Sequence, residues 1–593
     1  MKSFLKLVFA TIIGIFIFCL LAFFILAGVG GGSSAPKISS NSILNIKLVG
    51  DLPDLTNEDP FSNLSLLSAT SFSADPVIGL KDIKDVLKNA ASDDKIKAIV
   101  LNTDELTAMP ANALELVNSL QKFKESGKLL YAYSNNLSEL SLIINSIADK
   151  SYLNPMGHVE FNGMASEITY YTGLFEKLKV QPMIFYAGKF KSATEPFRLK
   201  SMSPENRLQV ETYLGSIYNN LLSKLSANRK VSVDSLKQLA DNMSIFFAED
   251  AVKHHLVDGL KYKDELESEL KEKFGYKESD DLKLVSLKTY LSSIDLDKSL
   301  SKSKNKIAVI YAEGEIKDGN TSSIGTIYEG DYTKMIRKAY SDKDVKAIVL
   351  RVNSPGGSAF ASEQILREVQ NAQKKKIPVV VSMGNLAASG GYYISSLANK
   401  IVAEPTTITG SIGVFGMMFN VEKALETNLG LSFDRVKTSP HADFGSATRP
   451  WDDLEKEKMT QSIQETYHIF LKHVADGRKM SIEDVDKIAQ GRVWTGQDAL
   501  KLGLVDTLGN LNTAISMASK LAKIDTYQIK NFPEAQTTME MIMAKIMGND
   551  DESINDALAK TFGDKYVYFK QIAALKDMGN QIQARVPYDI RFK

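Results

Sequence analysis

Ile377-Pro-Val-Val-Val-Ser-Met-Gly-Asn-Leu-Ala-Ala-Ser-Gly-Gly-Tyr-Tyr393 changes its hydrophobic period within a few residues. Ile377 to Val381 is a continuous apolar, β-branched run, which predicts a buried strand. After it, Tyr392, Tyr393, Leu397 and Ala398 recur at helical spacing, so Ser389 falls at the start of a helix. Ala387, Ala388, Gly390 and Gly391 are small enough for another backbone to come close. The N–H groups of a first helical turn have no intrahelical partner and can face negative charge as it develops. A serine at a helix start is commonly a plain cap. The rest of the chain decides whether this one is more.

Working outward, the chain proves to be written twice. Asp94-Lys-Ile-Lys-Ala-Ile-Val-Leu101 returns 249 positions later as Lys343-Asp-Val-Lys-Ala-Ile-Val-Leu350. Asn145-Ser-Ile-Ala-Asp-Lys150 returns as Ser395-Ser-Leu-Ala-Asn-Lys400, and Ser192-Ala-Thr-Glu-Pro-Phe197 as Ser446-Ala-Thr-Arg-Pro-Trp451. His255-Leu-Val-Asp-Gly259 and Gly503-Leu-Val-Asp-Thr507 continue the series. Near-constant offsets over four segments define two homologous domains, 42–275 and 305–520, with a connector at 276–304. In the second copy Ile307–Tyr311, Ala347–Val352 and Val379–Val381 read as strands, and Ala361–Ala372 as a helix. Such alternation predicts α/β layers. Residues 521–593 show no counterpart in the first copy and predict a helical extension, with amphipathic patterns at Met539–Met547 and Ile554–Thr561 and an aromatic cluster at Tyr566–Phe569.

The N-terminus places these domains. After a short segment 1–6, residues 7–29 carry no charge, long enough to span a bilayer and longer than the core of a cleavable signal. Lys2 and Lys6 precede the run and Lys37 is the next basic residue, which puts the N-terminus in the cytoplasm and the rest outside. Residues 30–41 are the linker. Over all 593 residues, 71 Lys and Arg balance 71 Asp and Glu, so nothing marks a nucleic-acid-binding protein. The single cysteine, Cys19, lies in the apolar run, leaving the domains without a disulfide or thiolate metal site. No metal cluster, phosphate loop or dinucleotide fingerprint appears in the sequence, so no cofactor is expected.

The copies differ where chemistry would sit. Opposite Ser389 the first copy has Glu139, and Leu140-Ser141 replaces Gly390-Gly391. Asn353-Ser-Pro-Gly-Gly-Ser358 in the second copy stands where the first has Asn102-Thr-Asp-Glu-Leu. Conversely, Lys191, just before Ser-Ala-Thr, becomes Gly445. One half keeps a serine, the other a lysine.

Gly384-Asn-Leu-Ala-Ala-Ser-Gly-Gly-Tyr-Tyr, Asn353-Ser-Pro-Gly-Gly-Ser, Thr409-Gly-Ser-Ile-Gly-Val414 and Phe190-Lys-Ser-Ala-Thr-Glu-Pro-Phe together resemble the long, tandem form of the signal peptide peptidase A family. These are membrane-anchored serine proteases of peptidase family S49, with domains related to Clp protease and the crotonases. The resemblance covers nearly the whole chain. It implies Ser389 as nucleophile, Lys191 as general base and Ser411 as the hydroxyl orienting the lysine. It implies an oxyanion hole from the N–H of Gly390 and of either Gly356 or Gly357. It also implies residual signal peptides as substrates, a bacterial inner-membrane location facing the periplasm, and a homotetramer.

Elementary chemistry agrees with those roles. A lysine at its ordinary pKa of about 10.4 is neutral in roughly one part in a few thousand at pH 7. Lowering it to about 7–8 takes about 4 kcal/mol against the ammonium, an amount burial supplies. Phe185, Phe190 and Phe197 lie near in sequence, and Lys189 is expected on the same side, adding like-charge repulsion and competing as the base. A Ser-His-Asp triad drawing on His158, His254, His255, His441, His468 or His473 stays open, although none sits in a triad pattern. Ser34–Lys37 and Ser301–Lys304 match Ser-x-x-Lys but lie in linkers. A non-catalytic membrane scaffold is the alternative from another class, and the intact serine and lysine argue against it. Acyl-CoA chemistry is disfavoured because coenzyme A is cytoplasmic.

Overall fold

The computed structural model describes residues 11, 13, 14, 17, 36–56, 77–294, 303–320, 325–534 and 582–585. The expected span 7–29 therefore lies almost wholly outside the described residues, as do the helical patterns and aromatic cluster within 535–581. Among the described residues no helix is long and apolar enough to cross a membrane.

In the first half, β1 (Ser42–Gly50), β2 (Ile96–Leu106), β3 (Leu129–Leu137) and β4 (Lys150–Val159) form a parallel sheet. β5 (Gln181–Tyr186) leaves that sheet, while β6 (Gly259–Leu260) and β7 (Leu284–Ser286) close its two edges. The second half repeats the plan with β8 (Lys306–Glu313), then the short β9 (Glu315–Lys317) and β10 (Thr326–Tyr328), then β11 (Val345–Ser354). There follow β12 (Gly356–Ser358), β13 (Val379–Ala388), β14 (Lys400–Ala403), β15 (Ile408–Gly410) and β16 (Phe415–Asn420). The last are β17 (Val493–Thr495), β18 (Thr507–Leu508), β19 (Gln528–Phe532) and β20 (Gln583–Arg585). β13-β11-β8-β19 lie side by side and parallel, as β3-β2-β1-β7 do in the first half. Ile307 to Ile310 and Ala347 to Leu350 are almost wholly buried, which is why these strands are unbroken apolar runs rather than alternating ones.

Two segments differ from expectation. Part of the 276–304 connector is an edge of the first sheet: β7 pairs with β1, and the helix Leu287–Ser293 inserts Leu287 and Tyr290 into its core. Its equivalent in the second half is β19, paired with β8, inside the region expected to be a helical extension. The two edge strands share little side-chain identity, so the repeat is not visible there.

A third sheet joins the halves, in the order β10-β9-β12-β20-β16-β5. β5 from the first half pairs antiparallel with β16 from the second, Tyr186 opposite Phe415 through Gln181 opposite Asn420. A buried charge cluster is the second joint. The Arg351 guanidinium on β11 donates to Asp54 at 2.8 and 3.0 Å, to Glu115 Oε2 at 3.0 Å and to Asn112 Oδ1 at 3.2 Å, all in the first half. It also reaches Ser382 Oγ on β13 at 3.1 Å. Asn112 N–H donates to Asn385, three residues further along that strand.

Candidate active site

β13 ends at Ala388 and the helix Gly390–Ser395 begins two residues later, leaving Ser389 alone on the bend. Its φ is +54° and ψ −113°, a conformation costing a non-glycine residue about 1–3 kcal/mol. Its N–H donates to the Gly410 carbonyl at 2.8 Å, and its own carbonyl accepts from Tyr393 N–H at 2.7 Å, which hold the bend. Ser411 is also strained, at φ +49°, and its N–H donates to Arg492 O. Two serines are thus held in backbone positions that serine disfavours.

The β5–β16 ladder carries the lysine to them. Directly after β5, Ala187 N–H donates to Val414 O at 3.0 Å, and the chain turns so that Lys191 enters the second half. Lys191 Nζ lies 2.9 Å from Ser389 Oγ, 3.1 Å from Ser411 Oγ and 3.2 Å from the Ser411 carbonyl, all within one chain. The side chain is 1% exposed, and burial alone drives its pKa well below the usual lysine value. Lys189 does not share this environment. It is exposed, its ammonium lies over the Phe190 ring, and the repulsion expected from it is absent from the causes acting on Lys191. Phe185 stacks on Trp451 and Phe197 on Tyr171.

A polar bracket fixes the lysine loop. Gln209 Nε2 donates to Ser192 Oγ at 2.7 Å and to Phe190 O at 3.3 Å, while its Oε1 accepts from Val493 N–H. Glu195, buried, accepts from Ser203 and Asn206. Gly491 packs so closely that a Cβ there would stand 2.7 Å from Lys191 Cα. Gln209 and Gly491 carry no motif visible in the sequence, and only the neighbourhood of Lys191 could have pointed to them; Glu195 lies in the repeated segment Ser192–Phe197 but drew no role from it.

Of the two loop glycines, Gly356 (φ +97°) faces the serine turn. A Cβ on it would stand 2.6 Å from Gly390 N and 2.0 Å from the Ala584 carbonyl oxygen. Its N–H donates to Ser354 Oγ at 3.2 Å. Gly357 instead abuts Ile316 of β9. Ser389 Oγ has Lys191 Nζ and the Gly413 carbonyl as its partners among the described residues, and no histidine reaches it. His473 bonds Glu363, and His254 directly follows the helix Ala248–Lys253. One group of converging metal-ligating atoms, His441, Asp452 and Glu455, exists among the described residues, but the Arg449 guanidinium already neutralises Glu455.

A hydroxyl on a strained strand-to-helix turn, with an amine of lowered pKa at hydrogen-bond distance, is equipped for acyl transfer to serine. Serine peptidases need a hydroxyl activated in such a way. Comparison with known proteins agrees: the model of peptidase family S49 matches residues 122–277 and 371–525, one segment in each half. Protease 4 of Salmonella typhi is 36% identical over 545 residues, covering 89% of this chain and 86% of that protein. The chloroplastic serine protease SPPA of Arabidopsis thaliana is 30% identical over 492 residues, 82% of this chain and 70% of that one. The solved structure of ClpP1 from Listeria monocytogenes overlays 34% of this chain and 91% of its own at 16% identity and a TM-score of 0.22. The chain belongs to peptidase family S49 and is a serine protease.

Proposed function

We propose that Ser389 and Lys191 form a catalytic dyad that cleaves extended peptides through an acyl-enzyme. The observation carrying this reading is the 2.9 Å approach of a buried, charge-disfavoured amine to the serine hydroxyl. Neutral Lys191 takes the Ser389 proton as Oγ attacks the scissile carbonyl. The resulting ammonium then protonates the leaving amine as the C–N bond breaks. A water gives its proton to Lys191 and attacks the ester, which releases the acid and restores Ser389. Ser411 orients the amine through its hydroxyl and carbonyl. The oxyanion is received by the N–H of Gly390 with one from the Gly356–Gly357 pair, in a water-poor site where such donors are worth most. An extended substrate adds as a strand beside β12.

The location is part of the same reading. Residues 7–29 anchor the chain in the bacterial inner membrane with both domains on the periplasmic side, and residual signal peptides are the substrates. The assembly is a homotetramer, each chain carrying its own lysine and serine. Ser389→Ala and Lys191→Ala, each folded, should abolish peptide hydrolysis. Full activity in Lys191→Ala would overturn the dyad, and Lys189 would be the next base to test.

A further inference from the structure

Gly356 lies three residues after Asn353, and Ser389 three residues after Leu386. At those two points the strands that carry the arms of the site lose register. β11 and β13 pair evenly as far as Val352 opposite Met383 and resume at Ser354 opposite Ala387, so Asn353 alone faces Gly384, Asn385 and Leu386. Regular backbone pairing cannot close that gap. The Asn353 side chain does: its Oδ1 accepts from Leu386 N–H at 3.2 Å, and a Cβ on Gly384 would stand only 3.3 Å from Asn353 Cβ and Cγ. The other end of the amide is held from β8. Asn353 lies opposite Glu313 in the β11–β8 ladder, its Nδ2 donates to Glu313 Oε1 at 3.0 Å, and its carbonyl accepts from Gly314 N–H at 2.9 Å. An N–H on one side and a carboxylate on the other call for one acceptor and one donor, which an amide offers and leucine or aspartate does not. Glu313 in turn accepts the Asp54 N–H from the first half, at 3.3 Å to each carboxylate oxygen, while the Asp54 carboxylate takes the Arg351 guanidinium. Asn385, inside the same gap, accepts from Asn112 N–H. The first half therefore reaches the seam between the arms at two points.

We propose that Asn353, oriented by Glu313, is a positioning residue of the reaction: it sets the Ser389 turn against the glycine loop, so that the Gly390 N–H and one from the Gly356–Gly357 pair converge on a single oxyanion. The proposal rests on the reading of those N–H groups as the oxyanion hole. Ser389 Oγ and Lys191 Nζ bond to each other, to Ser411 and to the Gly413 carbonyl, so Asn353 and Glu313 act through the backbone. Oxyanion donors work at about 2.7–3.1 Å from the developing charge, so a shift of about 1 Å in either arm weakens the transition state far more than substrate binding.

The test uses the full chain in detergent with a fluorogenic peptide. Glu313→Met should lower kcat about tenfold or more with KM little changed, and a peptide aldehyde, whose hemiacetal oxygen takes the oxyanion's place, should bind more weakly by about the same factor. Glu313→Gln still presents a carbonyl oxygen to Asn353 and should stay within about threefold of wild type. Asn353→Leu should lose at least as much as Glu313→Met, and Glu313→Met added to it should cost no more than about twofold further, since the partner it acts through is already gone. Losses that add in full, a Gln variant no better than Met, or a rise in KM at unchanged kcat would each overturn the proposal. If Asn353→Leu does not fold, Asn353→Ala takes its place in the cycle. If wild type neither hydrolyses peptide nor binds the aldehyde, the oxyanion-hole reading falls instead. Amide hydrogen exchange then decides this proposal alone. Faster exchange in Glu313→Met across both 354–358 and 384–391, at unchanged melting temperature, supports it, and unchanged exchange in either segment overturns it.

Discussion

Replacing Lys191 by methionine keeps the length of the side chain and removes its titration. Buried beside two hydroxyls and a carbonyl, Lys191 has a folded-state pKa lowered from the usual value by desolvation. The unfolded chain keeps about 10.4. Between these two values the unfolded state binds a proton that the folded state does not, so the wild-type fold gains about 1.4 kcal/mol per pH unit from this residue as pH rises. Lys191→Met lacks that slope, so wild-type stability relative to Lys191→Met should rise with pH through the window, starting from a deficit at low pH. Activity has its own sign. In the proposed dyad the neutral amine is the working form, so wild-type kcat/KM should climb with pH and level off below the ordinary lysine range, whereas Lys191→Met should lose at least about 10³-fold. Initial rates on a fluorogenic peptide give the profile. Urea unfolding followed by tryptophan fluorescence gives the stability, since both tryptophans, Trp451 and Trp494, lie in the serine-bearing half. An activity midpoint at or above about 10.4, or a stability difference flat in pH, would refute the burial argument.

Three further outcomes follow from named contacts. Glu404 is pushed up to about 7 by burial first and by the Glu115 charge second. Its raised pKa stabilises the fold below the ordinary carboxyl range and loses that benefit as pH rises towards 7, so Glu404→Gln should gain up to about 3 kcal/mol over wild type above pH 7, read from urea midpoints. Arg351→Met leaves Asp54 and Glu115 buried without their partner and should cost about 3–5 kcal/mol, seen as early unfolding in calorimetry. Ser411→Ala removes one of the lysine's oxygen partners and should lower kcat about 10-fold or more with KM little changed, in steady-state kinetics.

The parts of the fold that repeat are the parts that could be read from sequence. Ala347–Leu350 and Ala98–Leu101 are both apolar and both duplicated, so strand identity and the existence of the repeat came together, whereas the edge strands β7 and β19 fell outside the expected bounds. The meeting of Ser389 with Lys191 could be anticipated because each half holds the residue that the other lacks. The joints between halves were not. Arg351 reads as a lone charge in an apolar strand, and its partners Asp54 and Glu115 lie more than two hundred residues away. The direction of Lys189 depends on how the chain turns after β5, which a pairing with β16 decides and no local pattern records. β20 has three residues, too few for any period to show.

The β5–β16 ladder also sets an order of events. Lys191 leaves the ribosome well before the strand that aligns it, residues 415–420. At about 5–20 residues per second the interval is roughly ten to forty seconds. Until then the nascent chain holds the proposed base and, for part of that time, the proposed nucleophile, without the ladder that brings them together. β20, residues 583–585, is made later still, so the strand beside the glycines arrives after the ladder can close. Synthesis order acts as an interlock: the proposed dyad cannot form before residues 415–420 have been made.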